Sequence, residues 1–191
     1  QDAVRNSGNL IAGQNIGATA NSIDASGGGM TAQGAVSLAA TGDVSTRGAT
    51  MSGNGIAVQT AGTLDNTAGQ LYSNSNLQVS AQRVVNQGGL LGATNDAAVT
   101  TGSLDNTAGT LGTNNGNLNL SSTGAVANAG GKLIAGQDES IQASSLGNQG
   151  GVVQGRNLAL NTGTGAVDNT NGTVSASGAA HLQAGSVVNQ G

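Results

Sequence analysis

Leu64-Asp65-Asn66-Thr67-Ala68-Gly69-Gln70-Leu71 decides the fold of this chain. An aliphatic residue, an outward polar one, an asparagine, a short Gly/Ala turn and a second aliphatic follow one another, and the stretch returns almost unchanged at Leu104-Asp105-Asn106-Thr107-Ala108-Gly109-Thr110-Leu111. Looser copies run the length of the sequence. The aliphatic residue two before the asparagine is Val4, Ile23, Val44, Leu64, Val84, Leu104, Val126, Leu146, Val167 and Val187. The asparagine position is filled by Asn6, Ala25, Thr46, Asn66, Asn86, Asn106, Asn128, Asn148, Asn169 and Asn189, at intervals of 19 to 22 residues. Nine near-equal periods define a repeat array.

Within a period, apolar and polar residues alternate, which is the strand rule. The aliphatic five after the asparagine (Ile11, Met30, Met51, Leu71, Leu91, Leu111, Leu133, Val153, Val174) opens a second strand, and a third follows after a turn, as at Val36-Ser37-Leu38, Leu118-Asn119-Leu120 and Ile141-Gln142-Ala143. Three short strands in about 20 residues, stacked at ~4.8 Å, make an all-β parallel β-helix of about nine coils, a rod on the order of 45 Å long. The asparagine turn keeps one length and carries Gly-Gly or Ala-Gly, as expected where the backbone visits positive φ. The turns around the third strand vary in length, so a grafted site is easiest there.

The repeated asparagine is read as a structural ladder of Asn66, Asn86, Asn106, Asn128, Asn148, Asn169 and Asn189. Each amide bonds to its counterpart one coil away, and the ladder is continuous only from Asn66 onward, because Ala25 and Thr46 replace its first members. The chain opens just ahead of one copy and closes inside another, at Val187-Val188-Asn189-Gln190-Gly191. Residues 1–191 therefore read as a single β-helix segment excised from a longer array.

Composition narrows the function. The 191 residues include 34 Gly but no Pro, Cys, Trp or Phe and one Tyr, so any core is aliphatic and thin. Charged residues make up 7%, the net charge is −4, and the five basic residues lie far apart, which excludes nucleic acid as a partner. No run approaches the ~18 apolar residues of a membrane span, so membrane insertion is not expected.

Candidate sites are few. Asp24, Asp65, Asp105 and Asp168 share one outward position, but Asp65 and Asp105 lie about 10 Å apart by coil spacing, too far to share a metal ion. Asp138-Glu139 sits in a variable turn and is the one candidate carboxylate pair, although an ordinary exposed turn looks the same. His181 is the only histidine and has no second ligand or nucleophile beside it in sequence. No catalytic, cofactor or metal residue is expected. Outward apolar residues are the exception: Leu10, Val85 and Val188, and above all Tyr72, Leu90, Ile134 and Val152, would form a contact surface if they line up.

Leu64-Asp65-Asn66-Thr67-Ala68-Gly69-Gln70-Leu71, Val84-Val85-Asn86-Gln87-Gly88-Gly89-Leu90-Leu91 and Leu146-Gly147-Asn148-Gln149-Gly150-Gly151-Val152-Val153 resemble filamentous haemagglutinin repeats. Those repeats belong to large exoproteins of Gram-negative bacteria exported by two-partner secretion, among them adhesins and the stalks of contact-dependent growth-inhibition toxins. The resemblance implies a right-handed β-helix, secreted and held at the bacterial cell surface. Its partners would be an outer-membrane transporter during export, and then a receptor or glycan on a host or neighbouring cell. A non-enzymatic rod of an adhesin is the expectation, with a toxin stick as the alternative. A β-helical polysaccharide-active enzyme is the outsider, because such enzymes cluster acids and bases in a groove and this chain has few of either.

Overall fold

The computed structural model describes residues 2–191, and among them there are strands and turns but no helix. Each period winds once through three strands. The first ends at the asparagine, as in Thr63–Asp65; the second is Gln70–Ser73 in the same coil; the third is represented by Val36–Ala40 or Leu118–Ser122. Every strand pairs in parallel with its equivalents in neighbouring coils, so Leu64 registers with Val44 on one side and Val84 on the other. The second strands form a sheet of nine. First and third strands join in a bent sheet of seventeen, because the corner between them is fully extended at Leu77–Val85 and Ala97–Asp105. The result is a parallel β-solenoid of about nine turns.

The core follows from alternation. First strands contribute Ile23, Val44, Leu64, Val84, Leu104, Val126, Leu146 and Val167, and second strands contribute Met30, Met51, Leu71, Leu91, Leu111, Leu133 and Val153. All of these are at most 2% exposed. No rings are needed, because four inward columns, one each from the first and second strands and two from the third, fill a cross-section of this size.

The first coil departs from the sequence pattern. Leu10, not Ile11, registers with Met30 in the inward column, while Ile11 pairs with Thr31 on the outer face and is 78% exposed. The turn after Asn6 is one residue shorter than the others, and a one-residue slip exchanges the two faces of a strand.

Sequence alone assigns positive φ to the Gly-Gly turn as a whole, whereas the structure divides it into two positions with separate demands. The residue two after the asparagine position is left-handed in every complete copy from the second coil on: Gly27, Gly48, Ala68, Gly88, Ala108, Gly130, Gly150 and Asn171, with φ between 53 and 66°. Alanine is tolerated there at about 1 kcal/mol. The next residue is Gly28, Gly69, Gly89, Gly109, Gly131, Gly151 or Gly172, and it is glycine for lack of room. A Cβ there runs into the backbone oxygen of the asparagine-position residue one coil before.

Candidate functional site: the asparagine ladder and the outer faces

Asn66, Asn86, Asn106, Asn128 and Asn148 are completely buried and Asn169 nearly so. Asn106 shows the arrangement. Its Nδ2 donates to Asn128 Oδ1 at 2.7 Å and to the backbone oxygens of Gly109 (3.2 Å) and Lys132 (3.0 Å), while its Oδ1 accepts from Asn86 Nδ2 at 2.7 Å. The same set recurs from Asn66 to Asn148, and Asn169 Nδ2 reaches Asn189 Oδ1 at 2.7 Å. Each amide thereby joins its own turn, the next turn and the next asparagine, which satisfies groups that the bend removes from the strand ladder.

The ladder starts one coil earlier than the asparagines do. Thr46 is fully buried and its Oγ1 donates to Asn66 Oδ1 at 2.8 Å, so Thr46 is a member and only Ala25 is a gap. Ala49 belongs to this departure. It is the one residue with a side chain where the other complete turns carry a close-packed glycine, and it lies where both its own coil and the coil before lack asparagine. Its methyl group is buried there.

Two further sets of polar side chains hold the other corners. The residue just before the third strand is Asn15, Asn76, Asp96, Asn117, Asp138 or Asn157 in six of the coils. The Oδ1 of Asn15, Asn76, Asp96, Asn117 and Asn157 accepts the backbone N–H of the equivalent residue one coil on, at 2.8 to 3.2 Å. At Asp138 the donor is Asn157 Nδ2 instead, at 2.9 Å. Where the third strand turns toward the next first strand, buried Thr101, Ser122 and Thr162 donate to the backbone oxygens of Ser103, Gly124 and Gly165. The asparagine column stands out in sequence by its constant spacing. These two sets do not, although the residue preceding each third-strand aliphatic was the available signal.

The outward aspartates cap the asparagine turn. Asp65 Oδ1 accepts from Thr67 N–H (3.0 Å) and Thr67 Oγ1 (2.6 Å), and Arg47 reaches Asp65 Oδ2 at 2.9 Å. Partial burial pulls the Asp65 carboxyl up, but the Thr67 and Arg47 bonds outweigh it and hold it below the usual carboxylate value. Asp168 is likewise lowered by its bonds from Thr170 and Gln149.

The Asp138-Glu139 pair does not form a site, because the two side chains leave the strand on opposite faces. Asp138 is half-exposed and paired with Arg156 at 3.0 Å, whereas Glu139 turns into the core and is 1% exposed. The third strand of this coil begins at Glu139, two residues before the expected Ile141. His181 stands on the outer face in register with Ala159, at a shallow groove of about 440 Å³ that is also lined by Asn117, Asn119, Asp138, Ser140 and Asn157. No group of three or more metal-ligating side chains occurs among the described residues.

Tyr72, Leu90, Ile134 and Val152 all lie on the outer face of the nine-stranded sheet and are half-buried. They fall into two pairs. The Tyr72 ring lies over Gly92 with Leu90 beside it, and its Oη meets Thr94 Oγ1 at 3.0 Å and accepts from Asn114 Nδ2 at 2.7 Å, clasping three successive coils. Ile134 and Val152 lie one coil apart beyond the intervening Thr110–Thr113 strand. Val85 and Val188 belong to the other sheet and do not extend this stripe.

Neither the curated proteins nor the solved structures provide a match to the chain. The family comparison does: the model of the haemagglutinin repeat matches at residues 1–68, 46–130, 99–170 and 155–191, overlapping from one end of the sequence to the other. With the solenoid and its corner ladders, this coverage places the chain in the haemagglutinin repeat family, a structural and adhesin family whose members are typically secreted surface exoproteins.

Proposed function

We propose that this chain is a rod segment of a secreted bacterial surface exoprotein, and that it carries an adhesive face on its nine-stranded sheet. The observation that carries this reading is the haemagglutinin repeat itself, which runs through the whole sequence without an interruption large enough to hold a separate domain. The side chains that repeat are spent on holding coil to coil, so recognition falls to outward residues that do not repeat. Tyr72 with Leu90, and Ile134 with Val152, are the apolar members of that set on one face. Their partner is a receptor or glycan on a host or neighbouring cell, and the parent protein reaches the surface through an outer-membrane transporter.

The test is adhesion of cells to the immobilised segment, comparing the wild type with Tyr72→Ala/Leu90→Ser and Ile134→Ser/Val152→Ser. Gln78→Ala on the other sheet serves as control. Adhesion that falls at least fivefold in either double variant and is unchanged in the control supports the adhesive face. Equal adhesion in all four proteins places recognition elsewhere, and cleavage of glycans by the segment overturns the rod reading. Binding confined to neighbouring bacteria, with none to host cells, selects the toxin stick.

A further inference from the structure

One inward column of the third strand runs Ile16, Val36, Ile56, Leu77, Ala97, Leu118, Glu139 and Leu158. Seven of these eight are aliphatic, and the eighth is a carboxylic acid. Glu139 registers with Leu118 on one side and Leu158 on the other, and its Cβ faces Gly155 across the interior. Neither carboxyl oxygen has a hydrogen-bond partner, although both are fully shielded from solvent. An isolated ionised carboxylate in such a place is far more costly than a neutral one.

Among the described residues, no charged group faces it from the surrounding elements. Lys132, on the neighbouring second strand, points to solvent. Arg156 and Asp138 pair with each other on the outside, each half-exposed or more. The strands Leu118–Ser122, Leu158–Asn161 and Val152–Gly155 contain no titratable side chain, and His181 is exposed on the outer face one coil beyond Leu158. The groove lined by Asp138, Ser140 and Asn157 is also bordered by Glu139, whose two carboxyl oxygens are nevertheless shielded from solvent.

We propose that Glu139 makes its coil a proton-dependent weak point of the rod: the coil is closed around a neutral carboxyl and opens to hydrate an ionised one. Burial pushes the carboxyl up to about 9, opposed only by the backbone N–H of Gln154, which does not reach hydrogen-bond geometry. In the opened coil the group returns to its ordinary value of 4.5. The closed form thus holds one proton that the open form releases throughout this interval. The contribution of the group to stability is complete below about pH 4.5 and is lost progressively as pH rises to about 9, tenfold in the opening equilibrium per pH unit. The weak point lies between Lys132 and Leu158, the stretch that also carries Ile134 and Val152, so proton supply governs the order of part of the outer face as well.

Amide hydrogen exchange on the full chain tests this, with rates corrected for intrinsic exchange at each pH so that they report opening. In the wild type, the opening constant of Glu139–Gln142 is expected to rise close to tenfold per pH unit from pH 5 to pH 9, while that of Val36–Ala40 stays flat. Glu139→Leu restores the aliphatic column and is expected to be flat and slow. Glu139→Gln keeps size and polarity without the titration, and is expected to be flat at a higher level of opening; it serves alone if the leucine variant fails to fold. A wild-type slope no steeper than that of Glu139→Gln, or an equal slope in Val36–Ala40, overturns the proposal.

Discussion

Asn128 and Glu139 occupy the same coil, 11 positions apart, and both are buried polar side chains. Their situations are opposite. Asn128 Oδ1 accepts from Asn106 at 2.7 Å, and its Nδ2 donates to Asn148 Oδ1 at 2.7 Å and to two backbone oxygens. Glu139 meets only leucine above and below and has no partner. The difference is periodicity. In a solenoid the nearest neighbours of a side chain are the residues one period before and after it, so a buried polar group is satisfied when it recurs or, like Ser73 and Thr113, reaches a backbone oxygen of its own coil, and Glu139 does neither.

The comparison can be broken at its strongest point. Asn106→Leu deprives Asn128 Oδ1 of its donor and Asn86 Nδ2 of its best acceptor, and leaves the Gly109 and Lys132 oxygens without that amide. A loss of about 4 kcal/mol is expected. Gln78→Ala, on the solvent face of the third strand, should change stability by less than about 0.5 kcal/mol. Urea midpoints that coincide for these two variants contradict the ladder account. At the other pole, Glu139→Leu is expected to stabilise the segment by about 3 kcal/mol at pH 7, the free energy of keeping that carboxyl protonated in the folded state. The gain should shrink toward pH 4.5, and a thermal melt series across this range measures it.

Two adjacent glycines sharpen the same contrast on a smaller scale. Gly89→Ala sets a methyl group against the Asn66 backbone oxygen and the amides of Asn66 and Asn86, and should cost about 2 kcal/mol. Gly88→Ala meets nothing within reach and changes only the left-handed backbone, as Ala68 and Ala108 already do, so about 1 kcal/mol is expected. The smallest effect of these three is the reverse substitution, Ala108→Gly, which should be stabilising or neutral within about 1 kcal/mol. Melting temperatures of the three variants rank them, and a Gly88→Ala loss larger than that of Gly89→Ala reverses the assignment of roles.

What could be read from the sequence follows the same rule of recurrence. The aliphatic columns and the asparagine column repeat at nearly constant spacing, so strand type, coil number and the inward face were legible in residues such as Leu64, Asn66 and Leu71. The ladder at the second corner was not, because the interval from the second-strand aliphatic to its member changes: Leu91 to Asp96 is five residues, Leu111 to Asn117 six, and Val153 to Asn157 four. By residue type Thr46 breaks the asparagine column, because its hydroxyl differs from an amide, yet it supplies the one donor that Asn66 Oδ1 requires. In sequence Glu139 falls in a turn of variable length, residues 136–140. Leu118, two before Leu120, already marked the position two before Ile141 as an inward one. Tyr72 could be placed outward by alternation, but its clasp over Gly92 to Thr94 and Asn114 depends on two other coils and has no signature in any single copy.

The direction of the asparagine bonds gives the rod a mechanical grain. From Thr46 to Asn169 every link donates toward the C-terminal coil, so the amide dipoles add along the axis and neighbouring bonds polarise one another. Tension applied along that axis is shared by the coil-to-coil backbone bonds and, where the asparagines are present, by two side-chain ladders, the asparagine corner and the corner before the third strand. Between Ala25 and Thr46 the asparagine corner contributes no such link, and the side-chain bond nearest to it is the Ser26–Ser45 hydroxyl pair at 2.8 Å. Under load that junction is the one to part first, and the coils beyond it stay zipped.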